Sequence, residues 1–179
     1  MTDQASSSAQ NWEQRLLSLL PLYGHRNWVV IADAAYPAQS KPGIETILAN
    51  EDQLVVVQKT LAAITAHAHI RANIYIDREL DYVVENDASG VSTYRHNLDS
   101  MLDGSNRKAL EHEQIIAKLD HSAEVFRILI IKTKMTIPYT TVFFELDCGY
   151  WNAAAEDRLR QAMKASEARE NSGAWRCQL

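Results

Sequence analysis

Apolar residues recur along the chain with two spacings, and each spacing predicts a different element. Trp12, Leu16, Leu19 and Leu20 fall on one side of a helix over 12–22, which Pro21 and Gly24 bring to an end. Trp28-Val29-Val30-Ile31-Ala32 is a short, continuous apolar run closed by Asp33. Such a run marks a strand buried on both faces, as in the middle of a parallel sheet. Pro37, Pro42 and Gly43 make 36–43 a loop, and 44–49 reads as a short strand. Asp52 offers an N-cap to a helix reaching residue 66, with Leu54, Val57, Leu61 and Ile64 along it. Residues 70–76 alternate and predict a strand, 87–90 a turn and 100–107 a loop. A helix is predicted over 108–125, a second apolar strand over 126–131 and a third strand over 140–146. Ala, Glu, Arg, Gln and Lys dominate 152–170 and predict a last helix, with 171–179 fraying beyond it. Helices alternating with apolar strands predict a sheet covered by helices on both faces.

Composition narrows the function classes. The 179 residues carry a net charge of −5 and 46% hydrophobic residues, an ordinary globular balance with no basic footprint for nucleic acid. The longest stretch free of Asp, Glu, Lys and Arg is 60–70, 11 residues, against the roughly 20 that a membrane-spanning helix needs. Residues 1–10 are polar and Ser-rich, with no basic segment leading into an apolar one, so a cytoplasmic protein without a secretory leader is expected. Cys148 and Cys177 form no CxxC or zinc-ligand spacing and read as free thiols. The expected organisation is a tail over 1–11, a folded unit over 12–151 and a helical extension over 152–179.

Several residue groups could carry chemistry. Asp33 closes the first apolar strand and is followed by a loop, where open α/β sheets bind ligands. His25 stands in the turn before the same strand. Eight residues of strand span roughly 26 Å, so within one chain His25 and Asp33 should lie far apart. Either the chain bends sharply, or a neighbouring subunit supplies one of them, or His25 is a plain turn residue and Asp33 a loop cap. Tyr139 and Thr141 share one face of the strand entered at Pro138, and paired hydroxyls can hydrogen-bond a polyol. A cross-strand threonine and a partly buried tyrosine give the same pattern. His67 and His69 could bind a metal on a strand, but they sit at a helix end with no third ligand, so no metal is expected. His112 lies on the predicted 108–125 helix beside Glu111 and Glu113, where it reads as an exposed helix histidine, and His96 and His121 read as solvent-facing. No Walker loop, GxGxxG, GxSxG or HExxH is present.

Together these segments resemble the D-ribose pyranase and L-fucose mutarotase (RbsD/FucU) family. The resemblance begins at Gly24-His25, followed by a strand ending in Asp33-Ala34, and runs on through Tyr36-Pro37-Ala38-Gln39-Ser40, closest to the fucose branch. Ile131-Lys132-Thr133 and Pro138-Tyr139-Thr140-Thr141 resemble the family's later strand, its Thr-Gly-Glu turn and its Pro-Tyr-x-Asn. His112-Glu113-Gln114 resembles a His-Glu-Gln of the ribose branch. Two departures stand out: Lys134 and Met135 replace the turn's glycine and carboxylate, and Thr141 replaces the asparagine.

The resemblance implies a three-layer α/β/α sandwich with a mixed, mostly parallel sheet. It implies a ring-like homo-oligomer with the sugar site at subunit interfaces, and interconversion of sugar ring forms without a cofactor. It assigns His25 and Asp33 to catalysis, and Tyr36, His112, Tyr139 and Thr141 to holding a fucose- or ribose-like monosaccharide. Breaking and remaking the anomeric C–O bond needs a group that both gives and takes a proton, which an imidazole does near neutral pH. A sugar-binding or regulatory protein without catalysis on the same scaffold is the alternative, motivated by the replaced turn and asparagine.

Overall fold

In a computed structural model, which describes residues 11–173, Asn11 caps helix α1 (Trp12–Leu19), and a 3-10 turn at Leu20–Leu22 leads into β1 (Trp28–Ala32). Strand β2 (Ile44–Leu48) follows, then α2 (Gln53–Thr65), whose first turn is capped by Asp52 accepting from the Leu54 N–H at 2.9 Å. Next come β3 (Ile70–Asp77), a 3-10 turn at Arg78–Tyr82, α3 (Val91–Met101) and β4 (Arg107–Leu110). The described chain is completed by α4 (His112–Ser122), β5 (Ile128–Lys132), β6 (Val142–Cys148) and α5 (Ala153–Gly173).

The strands form one six-stranded sheet in the order β2-β5-β1-β6-β3-β4. Every neighbouring pair is parallel except those made by β6, which runs antiparallel to β1 and β3. All five residues of β1 have no exposed surface, because successive side chains enter two different layers. Val29 and Ile31 join Leu129, Ile131, Val142 and Phe144 under α1, α2 and α3. Trp28, Val30 and Ala32 join Ile128, Ile130 and Phe143 under Ile115 and Leu119 of α4. The architecture is therefore the expected three-layer α/β/α sandwich with a mixed, mostly parallel sheet. Gly149, just past β6, passes so close to the start of β3 that an added Cβ would meet the Ala68 carbonyl oxygen at 2.4 Å, so no side chain fits there.

Two segments differ from the sequence expectation. The first residues of the predicted 108–125 helix instead form β4, and α4 starts only at His112. Arg107, Lys108 and Leu110 favour helix, but β3 has an open edge there, and pairing Ile74–Asp77 with Arg107–Leu110 satisfies its backbone groups. Helix α3 lies where no helix is predicted, since Ser92, Thr93, His96 and Asn97 are poor helix formers. Burial of Val91, Tyr94 and Leu98 on one side holds it. The expected N-terminal tail up to residue 10, and Cys177 in the expected fraying end, lie outside the described residues.

Candidate functional site

Five parallel strands point their carboxyl ends the same way, and the candidate site lies at that edge, where β1, β3 and the entry to β6 meet the start of α4. Asp33 follows β1 and closes its own turn: one carboxylate oxygen accepts from the Ala35 N–H at 2.8 Å. The other accepts from the Thr141 hydroxyl at 3.2 Å. This fixes the carboxylate and commits the Thr141 proton, so Thr141, only 2% exposed, supports Asp33 from behind.

Asp77 is the last residue of β3 and is 1% exposed. Its Oδ1 lies 3.1 Å from His112 Nδ1, and its Oδ2 has no hydrogen-bond partner. Burial, with Glu79 and Asp33 nearby, pushes its carboxyl up to about 6 despite the opposing pull of His112. His112 is the first residue of α4, and its N–H is taken by both Glu79 oxygens, at 2.9 and 3.0 Å. Glu79 thus caps the helix from the turn after β3, filling the place that Glu111, at the N-cap, leaves open. The imidazole meets the Tyr139 ring edge-to-face with centroids 5.9 Å apart. Tyr139 itself has φ 59°, a left-handed conformation that costs a non-glycine residue on the order of 1–3 kcal/mol.

Asp33, Tyr36, Asp77, His112, Pro138 and Tyr139 line a pocket of about 230 Å³. It lies beside a second hollow of about 310 Å³ that shares Asp33 and Pro138. These volumes suit a small polar molecule, since drug-sized ligands occupy roughly 300–1,000 Å³. The Tyr36 ring is buried against the α4 layer, and burial pushes its hydroxyl up to about 12. Behind the pocket, Gln53 ties two of its walls together. Its amide donates to the Thr140 carbonyl, and its oxygen accepts from the Thr133 hydroxyl at 2.8 Å. Tyr94 donates to the same Thr140 carbonyl at 2.9 Å.

The chain therefore brings Asp33, Tyr36, His112 and Tyr139 to one pocket, with Thr141 directly behind Asp33. It does not bring His25 there. His25 stands before β1, at the opposite end of the sheet, with Nδ1 2.8 Å from Asp147 Oδ1 and Nε2 accepting from Arg26 Nε at 3.3 Å. Arg71 holds the other Asp147 oxygen at 2.5 Å. Burial works to raise the Asp147 carboxyl, but Arg71, the Cys148 N–H and His25 together hold it below the usual carboxylate range. Sequence reasoning missed Asp77 and Glu79. The signal was present, an acid closing the alternating strand at 70–76 just as Asp33 closes the first strand. His67 and His69 bond backbone carbonyls of Ala63, Leu20 and Tyr23, and among the described residues no cluster of side chains could hold a metal. Among the same residues no helix is long and apolar enough to cross a membrane.

Comparison with known proteins bears on this arrangement. The model of the RbsD/FucU transport protein family matches residues 10–148. The chain belongs to that family. Solved structures of family members share its fold. The structure of Bacillus subtilis RbsD complexed with D-ribose matches with TM-score 0.54 and 15% identity, covering 85% of this chain and all of that one. The fucose mutarotase from Streptococcus pneumoniae in complex with L-fucose matches with TM-score 0.50 and 19% identity, covering 79% of this chain and 97% of that one. FucU from Bifidobacterium longum gives 0.50 and 15%, covering 75% and 94%. No curated protein sequence matches the chain.

Proposed function

We propose that this RbsD/FucU family member is a cofactor-independent mutarotase or pyranase, interconverting the ring or anomeric forms of a free fucose- or ribose-like monosaccharide by general acid–base catalysis. The observation that carries the reading is the convergence of Asp33, Asp77, His112 and Tyr139 on one small pocket at the carboxyl edge of the sheet. Two carboxylates and an aromatic edge suit a polyol, since carboxylates accept hydroxyl protons and a ring face or edge covers the sugar's C–H surface. The structures of relatives holding D-ribose and L-fucose support a monosaccharide as ligand.

Ring opening moves the anomeric hydroxyl proton away and delivers a proton to the ring oxygen, and closure reverses this. In this reading Asp33, Tyr36 and Tyr139 hold sugar hydroxyls, and an imidazole carries the proton. His25 serves only if a second subunit presents it to the pocket, which calls for a ring-like homo-oligomer with the site at the interface. Its exposure supports this, because 58% of the His25 side chain is open to a neighbour. Nuclear magnetic resonance exchange between α and β anomers of L-fucose and D-ribose tests the proposal. Exchange faster than in buffer is expected for at least one sugar, and buffer rates for both would remove the enzyme.

A second reading, a sugar-binding protein without catalysis, has one observation in its favour. Thr141 spends its only proton on Asp33, whereas an asparagine there would have an amide to spare for a ligand. Saturable sugar binding with buffer-rate exchange is the outcome that favours it.

A further inference from the structure

We propose that Asp77 is the positioning residue of the site: its buried carboxylate holds His112 by Nδ1, so that Nε2 is the base that takes the anomeric proton. This deepens the mutarotase reading and rests on it. A neutral imidazole has one N–H and one bare nitrogen, and the partner of one nitrogen decides the state of the other. Asp77 Oδ1 lies 3.1 Å from Nδ1 and, when ionised, can only accept, so Nδ1 carries the proton. Nε2 is then bare, and no hydrogen bond to it is seen among the described residues. The ring cannot readily turn away, because Tyr139 packs edge-on against it and the His112 backbone is pinned by Glu79.

The proton count closes without another reactant. Nε2 takes the proton from the anomeric O1–H, the O1 electron pair forms the C1 carbonyl, and the bond from C1 to the ring oxygen breaks. The imidazolium then returns the same proton to that ring oxygen, which one nitrogen can reach because both oxygens were bonded to C1. Rotation about C1–C2 and the reverse steps give the other anomer. Asp77 stabilises the transient imidazolium through Nδ1. The chain's own pocket thus holds a complete proton carrier, whereas His25 has both ring nitrogens engaged at the far end of the sheet.

The groups around Asp77 set its pH dependence. Burial raises its carboxyl to about 6, Asp33 and Glu79 push in the same direction, His112 pulls against them, and Tyr36 lies close by. Once Asp77 is protonated its hydrogen can go to Nδ1, the ring proton moves to Nε2, and the base is lost. Exchange should therefore fall as the pH drops through about 6.

The test uses the full-length protein and Asp77→Asn, which keeps the shape and removes the charge. The first readout needs no activity: nitrogen-15 spectra of the His112 ring at about pH 7.5. The Nδ1–H tautomer in the parent and a mixture in D77N are expected. An Nε2–H ring in the parent, or identical rings in both, overturns the inference. The second readout is anomer exchange of L-fucose and D-ribose across pH. D77N should lose roughly tenfold or more in rate at saturating sugar, with half-saturation changed far less, and its acidic limb should move to lower pH. Parent acceleration that D77N leaves unchanged in rate and limb overturns the positioning role alone. A parent no faster than buffer overturns the mutarotase reading, and with it the proton-transfer step.

Discussion

Asp77 also makes a statement about stability. A carboxyl whose folded value is raised from 3.8 to about 6 is more costly to fold ionised than protonated. Its contribution is fully present below the unfolded value and is lost as pH rises through about 6. The loss is on the order of 2–3 kcal/mol by about pH 8, since each unit of difference is worth about 1.4 kcal/mol. Asp77→Asn has no such loss, so its urea midpoint relative to the parent should rise between about pH 4 and pH 8. A relative midpoint that falls over that range contradicts the assignment of a raised Asp77. His25 gives the complementary prediction. It lies in a turn and is mostly exposed, so His25→Gln should leave the thermal midpoint nearly unchanged. If a neighbour's His25 completes the pocket, the anomer exchange rate should drop roughly a hundredfold. If the Asp77–His112 pair carries the proton alone, the rate should hold. Asp33 was legible because it closes an apolar run. Asp77 closes a less apolar strand, one broken by Arg71 and Asn73, so its place at the same sheet edge emerges only once β3 is set in the sheet.

At the scale of elements, the site depends on how α4 begins. An α-helix leaves its first N–H groups without partners, and the usual remedy is a side chain at the N-cap. Glu111 occupies the N-cap without making that bond, and Glu79 makes it from across the gap between β3 and α4. Glu79→Ala should therefore cost about 1 kcal/mol in a urea titration, a typical cap loss. It should also weaken L-fucose or D-ribose binding, because His112 is the residue whose backbone is released. Unchanged affinity with lowered stability would make Glu79 a cap with no bearing on the pocket. The same junction explains why the sequence misleads here. Arg-Lys-Ala-Leu followed by His-Glu-Gln has continuous helix propensity, but β3 has an edge to satisfy, and the β4 pairing wins. Strands β1 and β5 were readable because burial on both faces demands unbroken apolar runs, and β1 spans the very residues its pattern predicts.

For the whole molecule, the helical extension is the feature that the family core does not explain. The family match ends at residue 148, and α5 begins at Ala153. Its 21 residues make a helix of roughly 30 Å, yet every residue from 157 to 170 is exposed. Leu159 and Met163, 42% and 44% exposed, lie one turn apart on the same side. Within the described chain, the ties near its start are the Asn152 cap and the Trp151–Glu156 bond, so its own subunit supplies little packing. In proteins most helical stability comes from burying an apolar face rather than from propensity. The proposed homo-oligomer would supply the missing surface on a neighbouring copy. Truncation after Trp151 should then lower the oligomer mass by light scattering, or lower its thermal midpoint. The pocket is lined by residues 33, 77, 112 and 139 and by no residue of α5, so each remaining chain should still bind the sugar that the parent binds. The decisive comparison is sizing and sugar titration on the same truncated sample. Loss of sugar binding with the assembly intact would show that α5 belongs to the pocket. An unchanged mass and midpoint would show that α5 contributes nothing to assembly.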